Sequence, residues 1–445
     1  MKKSVLLKNS EDIYFIGAGG VFMSALIKHC LFLGKNVSGS DKERNEYVEE
    51  LEKSGVKIFI GHDGKNLKSA DMVVYSSAIG GDNPELVKAR KLKIPVFKRS
   101  EFLAIILKDY TKVIAVAGCH GKTTTAAMIT HVLKTAGESP TAFIGGVDNE
   151  FSNYLAGKNK YVITEACEYK KNFLDIKPDI AVITNIDNDH MDSFDGETDL
   201  INSFSEFTKD AIKIINSDDE KSKSLANADS IAFGIKNPAV VRAENVRKTE
   251  KGYAFTLVVR DKKAFRVRLN IAGRFNVYNS LATFSVCLSI GIDLNAAKRA
   301  VENFSSVKRR LEFLGVYKNK KIYADYAHHP SEIKAVLSVF DDKCLTVFQP
   351  HTYSRTKNLK KEFTDVLSAR NTVIYKTYPA REKYDKAGDG YSLYLNLKKN
   401  SRKNVYYAKN EAALIKAVEN GDEETVVFVG AGDIYYIAKK LFAIK

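Results

Sequence analysis

The chain has 445 residues, of which 44% are hydrophobic and 28% charged, a length that exceeds one ordinary core and predicts two or three globular domains. Its formal net charge of +15 comes from lysines scattered without dense blocks, which favours attraction of anionic substrates over a nucleic-acid-binding surface. With no apolar run of membrane-spanning length and five irregularly spaced cysteines, the composition predicts a cytoplasmic protein without membrane insertion.

The N-terminal segment follows a strand–helix–strand pattern. A helix is predicted over 23–33, and strands are predicted over 13–16, 37–41, 56–60, 72–75 and 95–97. The order is Rossmann-like, but Phe22 occupies the third glycine position of the dinucleotide fingerprint, so the turn Gly17-Ala18-Gly19-Gly20 is weak evidence for NAD. A nucleotide diphosphate fits the same helix N-terminus, with Asp41 facing a sugar.

A phosphate-binding loop is the most informative motif of the chain. Its sequence is Gly118-Cys119-His120-Gly121-Lys122-Thr123-Thr124. A β-branched strand at 113–116 precedes it and a helical pattern follows, so backbone N–H groups, the Lys122 charge and the Thr123 hydroxyl are placed for phosphate and Mg²⁺. The usual pattern has glycine where Val116 stands, so this is a shortened variant. Cys119 lies beside a helix N-terminus, which leads to the hypothesis of a reactive thiol; the alternative is a small buried residue.

Polar residues follow the next predicted strands, 161–164 and 180–184. Glu165 ends the first strand, and the run from Asn185 to His190 follows the second. Because the carboxyl ends of parallel strands meet at one sheet edge, both groups should converge on the phosphate loop. Glu165 and His190 beside a triphosphate suit Mg²⁺, whereas a capping aspartate and a satisfied loop histidine are the alternative.

The strand–helix alternation weakens after Asn216. An antiparallel hairpin is predicted, with strands over 253–259 and 264–269 around Asp261-Lys262-Lys263, and a helix over 279–289 follows it. Asn276 and Asn279 stand three apart at the start of that helix. Their amides suit reading an adenine edge, or alternatively capping the helix.

Strands alternate with helices again from about Lys308, and the strands are predicted at 321–324, 346–348, 372–375 and 425–429. Adjacent His328 and His329 diverge, which disfavours a shared metal: one faces a cleft, and the other helps to start the helix at Pro330. Arg355 or Arg381 suits a carboxylate clamp, with a solvated surface as the alternative.

Taken together, these motifs resemble the Mur ligases, in the family's order and over nearly the whole chain. The matching segments are Gly17-Ala18-Gly19-Gly20, Gly39-Ser40-Asp41, Ser76-Ser77-Ala78-Ile79, Gly121-Lys122-Thr123-Thr124, Asn185 to Asp192, Gly273 to Asn279, Arg309-Arg310, Asp325 to Pro330, Gln349-Pro350-His351, Ala380-Arg381-Glu382 and Gly430-Ala431-Gly432-Asp433. The resemblance implies an α/β protein of three domains. These are a Rossmann-like UDP-sugar domain over 1–110, a P-loop-type ATPase domain over 111–306, and a Rossmann-like closure and amino-acid domain over 307–445.

The resemblance also implies the reaction. An ATP-dependent ligase would join L-alanine to the lactyl carboxylate of UDP-N-acetylmuramate through an acyl phosphate, using ATP and Mg²⁺, in cytoplasmic peptidoglycan precursor synthesis, as a monomer or homodimer. A murein peptide ligase, which joins a recovered tripeptide, is the nearest alternative. A non-catalytic nucleotide-binding or nucleic-acid-binding protein is less favoured because the polar motifs spread over all three domains. A redox enzyme built on the first glycine turn is the least favoured alternative, because Phe22 breaks the dinucleotide fingerprint.

Residue roles follow from the same resemblance. Lys122, Glu165 and His190 are the implied catalytic residues, with Thr123 and Glu165 on one Mg²⁺ and His190 on a second. The implied UDP-sugar residues are Gly17, Gly19, Gly20, Ser40, Asp41, Ser76 and Ser77. The implied ATP residues are Gly118, Cys119, His120, Gly121, Lys122, Thr123, Thr124, Asn276, Asn279, Arg310 and Asp325. The implied amino-acid and muramyl cleft comprises His328, His329, His351, Arg355 and Arg381.

Three positions depart from the family's usual pattern. Cys119 replaces a threonine, Phe275 replaces a common histidine, and Ala166-Cys167-Glu168-Tyr169 replaces Ala-Asp-Glu-Ser. Cys167 therefore removes an acidic group near the implied metal site, while Glu165 and Glu168 remain.

Overall fold

The computed structural model describes residues 7–188, 191–340, 342–380 and 382–442. In these ranges the chain forms three sheets and separates into two compact units. The first unit holds the chain up to Asn270 together with Asn276–Ser305, and the second holds Ile271–Phe275 together with the chain from Ser306 onward. None of the helices in the described ranges is long and apolar enough to span a membrane.

The N-terminal sheet of the first unit has five parallel strands in the order β3-β2-β1-β4-β5. Its elements are β1 (Asp12–Ile16), α1 (Val21–Phe32), β2 (Asn36–Asp41), α2 (Glu46–Lys53), β3 (Lys57–Ile60), β4 (Met72–Tyr75), α3 (Pro84–Lys91), β5 (Val96–Lys98) and α4 (Arg99–Leu107). All five strands match the predicted positions, and β4 has the predicted bounds. Helix α1 starts at Val21, earlier than predicted, directly after the extended Gly20.

The second sheet of this unit has ten strands in the order β15-β14-β13-β12-β11-β10-β6-β9-β7-β8. Its strands are β6 (Lys112–Ala117), β7 (Thr141–Asp148), β8 (Ser152–Leu155), β9 (Tyr161–Glu165), β10 (Ile180–Ile183), β11 (Ile212–Asn216), β12 (Ile231–Gly234), β13 (Val241–Lys248), β14 (Tyr253–Val259) and β15 (Lys262–Leu269). Its helices are α5 (Lys122–Thr135), α6 (Glu197–Phe207), α7 (Glu220–Lys223), α8 (Phe275–Ile290) and α9 (Leu294–Asn303), with 3₁₀ segments at Tyr169–Asp175 and Met191–Ser193.

The predicted antiparallel hairpin is confirmed as β14–β15, but its turn was misplaced. Val259 pairs with Lys262, so the turn consists of Arg260 and Asp261 alone. Both turn residues have positive φ, 48° and 63°, the backbone form that suits the right-handed twist of two paired strands. Lys262 and Lys263 therefore belong to β15, where they extend the hairpin.

The second unit is built on six strands in the order β16-β17-β21-β18-β19-β20, parallel except for β16. Its strands are β16 (Glu312–Tyr317), β17 (Lys320–Asp325), β18 (Cys344–Phe348), β19 (Thr372–Tyr375), β20 (Val405–Ala408) and β21 (Thr425–Val429). Its helices are α10 (Pro330–Leu337), α11 (Tyr353–Asn358), α12 (Lys360–Leu367), α13 (Gly390–Asn400), α14 (Glu411–Asn420) and α15 (Ile434–Lys440), with a 3₁₀ turn at Lys386–Gly388. The predicted α/β class is confirmed.

Candidate functional site

The phosphate-binding loop lies between β6 and α5, as the sequence predicts. Gly118 and Gly121 both have positive φ, 125° and 85°. A Cβ at Gly118 would lie 2.3 Å from the Thr184 hydroxyl, and one at Gly121 would lie 2.5 Å from the Asn279 side-chain oxygen. Glycine is therefore required at both positions by conformation and by close packing.

The segment that follows β10 is hydrogen-bonded to this loop. The His120 N–H donates to Asn185 Oδ1 at 2.9 Å, and the Thr184 hydroxyl donates to the His120 carbonyl at 2.6 Å. His120 Nε2 lies 3.3 Å from Asp187 Oδ2. The structure thus brings together the loop and the polar run after β10. His190 lies outside the described residues.

Cys119 is held by the same segment. Its Sγ accepts from the Asp187 N–H at 3.1 Å and donates to the Asp187 carbonyl at 3.2 Å, and the residue is only 8% exposed. Reactive cysteines are partly exposed, whereas this side chain is enclosed and both of its sulfur contacts are made by the Asp187 backbone. The geometry favours the small buried residue over the reactive thiol.

Lys122 and Glu168 form a buried ion pair inside the loop. Lys122 Nζ lies 3.1 and 3.0 Å from the two Glu168 oxygens and also donates to the Gly118 carbonyl. Burial alone would lower the pKa of Lys122, but Glu168, with Cys167 and Cys119, outweighs burial and raises that pKa above its ordinary value. Lys122 therefore carries a full charge at neutral pH and is directed into the loop.

Thr123 and Glu165 form a second pair at the same edge. The Thr123 hydroxyl donates to Glu165 Oε2 at 3.0 Å, and the Gly145 N–H donates to the other carboxylate oxygen. Thr123 comes from the first turn of α5, whereas Glu165 is the last residue of β9. Two oxygen-bearing side chains predicted to share a metal are thus adjacent.

The two amides predicted to read adenine also lie beside the loop. Asn279 Nδ2 donates to Asn276 Oδ1 at 2.9 Å, and both side chains are buried. Helix α8 already begins at Phe275, so both residues lie within the helix and neither is its N-cap. The Asn279 amide faces Gly121, which places the pair next to the phosphate loop.

The predicted UDP-sugar residues gather at the carboxyl ends of β1, β2 and β4. The Gly17 N–H donates to the Ser40 carbonyl at 2.8 Å, and the Gly19 N–H donates to Asp41 Oδ2 at 2.7 Å. Asp41 therefore fixes the glycine turn that ends at Gly20. The Ser76 N–H donates to the carbonyl that ends β1, and Ser77 Oγ accepts at 3.3 Å from Asn172 of the 3₁₀ segment Tyr169–Asp175.

In the second unit, three of the predicted cleft residues adjoin one another. The rings of His328 and His351 have centroids 5.5 Å apart, and Arg355 Nη1 lies 3.4 Å from His351 Nδ1. His329 is the N-cap of α10, accepting the Ser331 N–H, as expected of one of the two histidines. Arg381 lies outside the described residues.

Three protein-family models match successive parts of the chain. The model described as "Mur ligase family, catalytic domain" matches residues 12–111, "Mur ligase middle domain" matches 116–287, and "Mur ligase, glutamate ligase domain" matches 309–432. The chain belongs to the Mur ligase family.

Individual relatives of this Mur ligase extend over its full length. It is 39% identical to the UDP-N-acetylmuramate–L-alanine ligase of Caldicellulosiruptor saccharolyticus, with 95% of this chain and 96% of that protein covered. The crystal structure of the UDP-N-acetylmuramate–alanine ligase of Thermotoga maritima has a TM-score of 0.85 at 30% identity, covering 97% and 98% of the two chains. A murein peptide ligase from Psychrobacter arcticus shares the fold at 21% identity, with a TM-score of 0.74 and the same coverage.

Two carboxylates of this Mur ligase received no role from the sequence, although Glu168 was noted there as an acidic group near the implied metal site. One is Glu168, which is 1% exposed; its place directly after β9, near Glu165, was the available signal. The other is Glu85, also buried, which accepts from Tyr14 at 2.9 Å, Ser40 at 2.5 Å and Asn66 at 2.8 Å. Glu85 offered no sequence signal, because it resembles an ordinary first-turn carboxylate of a helix.

Arg310 and Asp325 lie near one another in the second unit. Asp325 is buried and accepts the Leu311 and Ala327 N–H groups at 2.8 and 2.7 Å. Burial is the largest influence and raises the pKa of Asp325 to about 6, against the opposing effect of Arg310. The folded protein thus binds this proton more tightly than the unfolded chain does.

We expect this carboxyl to make stability depend on pH. Its contribution is full below pH ~4 and is lost as pH rises through the folded-state pKa, a loss of roughly 3 kcal/mol in the free energy of unfolding. Urea unfolding of the wild type and of Asp325→Asn across this range measures the difference between them, which should fall as pH rises. A difference that stays constant with pH contradicts the assignment, and Asp422→Asn, on an exposed carboxyl of the same unit, is the control.

Proposed function

We propose that this Mur ligase joins L-alanine to the lactyl carboxylate of UDP-N-acetylmuramate while ATP is converted to ADP and phosphate. The observation that carries the proposal is the loop itself. The charged Lys122 and the Thr123–Glu165 pair face one edge of the sheet, in the same compact unit as the N-terminal glycine turn. This arrangement suits a triphosphate placed beside a nucleotide-sugar acid.

The chemistry explains why such an acid needs a triphosphate. A carboxylate is a poor electrophile, so one of its oxygens first attacks the γ-phosphorus of ATP and the bond to the β–γ bridging oxygen breaks. The alanine amine then attacks the carbonyl carbon of the acyl phosphate, phosphate leaves, and the nitrogen loses a proton. Lys122 offsets charge on the transferring phosphoryl group and must turn from Glu168 and the Gly118 carbonyl toward the phosphates to do so.

The Thr123–Glu165 pair fits a magnesium ion. Mg²⁺ takes hard oxygen ligands, usually one or two from protein with the remainder from phosphates and water, and this pair supplies a hydroxyl and a carboxylate. Bound there, Mg²⁺ would neutralise phosphate charge. His190 remains the proposed ligand of a second Mg²⁺.

The remaining assignments complete the proposal. Asn276 and Asn279 would hold the adenine, and Arg310 and Asp325 would make further contacts to ATP. The glycine turn with Ser40, Asp41, Ser76 and Ser77 would hold the UDP-sugar. The predicted cleft residues would hold the amino acid and the muramyl group; they are His328, His329, His351, Arg355 and Arg381. We also propose the domain limits 1–110, 111–306 and 307–445, a monomer or homodimer, a cytoplasmic location, and no binding of nucleic acid.

Phosphate release by the purified protein tests this function. With ATP, Mg²⁺ and UDP-N-acetylmuramate, we expect release that depends on L-alanine and a product whose mass has increased by one alanine residue. Glycine and L-serine are the specificity comparison, since one methyl group in a pocket contributes only about 1–3 kcal/mol. Turnover with the murein tripeptide alone would identify a recycling ligase, and no turnover with any acceptor would contradict the catalytic assignments.

A further inference from the structure

A cavity of about 160 Å³ lies between the glycine turn and the phosphate loop, inside the first unit. Phe22 at the start of α1, Arg99 at the start of α4, and Lys122, Glu165 and Cys167 at the loop edge all line it. A cavity of roughly this size admits a molecule as large as benzene, so it has room for a lactyl group.

Arg99 is the charge in this cavity that the loop chemistry leaves unused. Its guanidinium lies over the Phe22 ring, 5.0 Å from the centroid. Among the described residues no carboxylate forms an ion pair with it, whereas Lys122 is paired with Glu168, and Glu165 is held by Thr123 and Gly145. The cation–π contact holds the guanidinium against the ring and leaves its N–H groups available to a ligand.

The remaining wall of the cavity adds no competing anion. Beyond Glu165 the described lining contains no aspartate or glutamate, and Ser100 and Asn172 are its uncharged polar side chains. Leu103 and Ile176 are also in the lining. A small, largely apolar pocket with one planar cation suits a carboxylate attached to a short alkyl group.

We propose that Arg99 binds the lactyl carboxylate of the nucleotide-sugar substrate and holds it beside the phosphoryl group that Lys122 contacts. The inference rests on the proposed function, because it needs an acid that spans the glycine turn and the loop. Arg99 would use two N–H groups to fix the carboxylate plane, leaving an oxygen lone pair directed toward the γ-phosphorus. Its role is to bind and orient; no bond to Arg99 forms or breaks.

The test compares two nucleotide sugars that differ at this group. UDP-N-acetylglucosamine lacks the lactyl ether of UDP-N-acetylmuramate, so calorimetry with each isolates the contribution of the lactyl group, which carries the carboxylate. Arg99→Gln should weaken binding of UDP-N-acetylmuramate roughly 10- to 100-fold and leave binding of UDP-N-acetylglucosamine and of ATP unchanged. Arg99→Lys keeps the charge without the planar fork and should show a smaller loss of the same selectivity.

The outcomes separate the inference from the function on which it rests. Equal weakening of both sugars, or a loss confined to ATP, would overturn the role of Arg99. Lys98→Gln, the same charge change on the neighbouring exposed residue, should leave all three affinities unchanged. If Arg99→Gln does not fold, Arg99→Lys decides by the same comparison. Alanine-dependent turnover by the wild type with an unaffected Arg99→Gln removes only the inference, whereas no wild-type turnover removes both.

Discussion

Replacing Lys122 by methionine is expected to lower kcat by roughly 10³-fold, because the variant lacks the charge that stabilises the transferring phosphoryl group. The substitution also leaves Glu168, which is 1% exposed, without its ion-pair partner. An isolated buried charge of this kind costs about 3–5 kcal/mol of stability. Phosphate release at saturating substrates measures the first effect, and urea unfolding measures the second.

A double variant separates these two effects. Lys122→Met with Glu168→Gln removes the unpaired charge, so it should recover much of the lost stability while kcat stays low. Recovery of kcat in the double variant would mean that Lys122 acts only by neutralising Glu168. Lys134→Met, at the other end of the same helix, removes an equal charge and should leave kcat unchanged.

The central strands and the phosphate loop were predictable because their signals are local. Strands β17, β21, β18 and β19 are central in the last sheet, each has a short apolar core of at least three residues, and all four were predicted. The edge strands β16 and β20 were missed: apart from Ala408 their residues are half-buried or exposed, so neither strand has the buried core of a central strand. β7, another missed strand, contains two glycines that lower its apparent strand propensity.

The parts of the site that escaped prediction depend on contacts distant in sequence. Glu168 contacts Lys122 because the two residues follow the neighbouring strands β9 and β6, and Glu85 contacts Tyr14 and Ser40 only after the N-terminal sheet has formed. Burial, followed by the Glu85 charge, raises the pKa of Tyr14, an effect that no local pattern encodes. Sequence reasoning identified residue types at strand ends, whereas their pairing follows from strand order.

Replacing Glu165 by glutamine is expected to weaken the binding of Mg²⁺ at the active site while leaving the fold intact. Glutamine is isosteric: its oxygen still accepts from the Gly145 N–H, and its amide still reaches the Thr123 hydroxyl. The missing negative charge should raise the Mg²⁺ concentration for half-maximal rate at least about 10-fold and lower kcat roughly 10²-fold. A titration of phosphate release with Mg²⁺ measures both quantities.

The Mg²⁺ titration decides between two roles for Glu165. A metal ligand changes the Mg²⁺ dependence, so part of the lost rate should return at high Mg²⁺. A residue that only orients Thr123 would lower kcat at every Mg²⁺ concentration alike, and that result would contradict the ligand assignment. Glu138→Gln, the same change at a surface carboxylate paired with Lys160, should leave the titration unaltered. Because Thr123 and Glu165 come from different elements, Thr123→Val should shift the same midpoint in the same direction if both oxygens hold one ion.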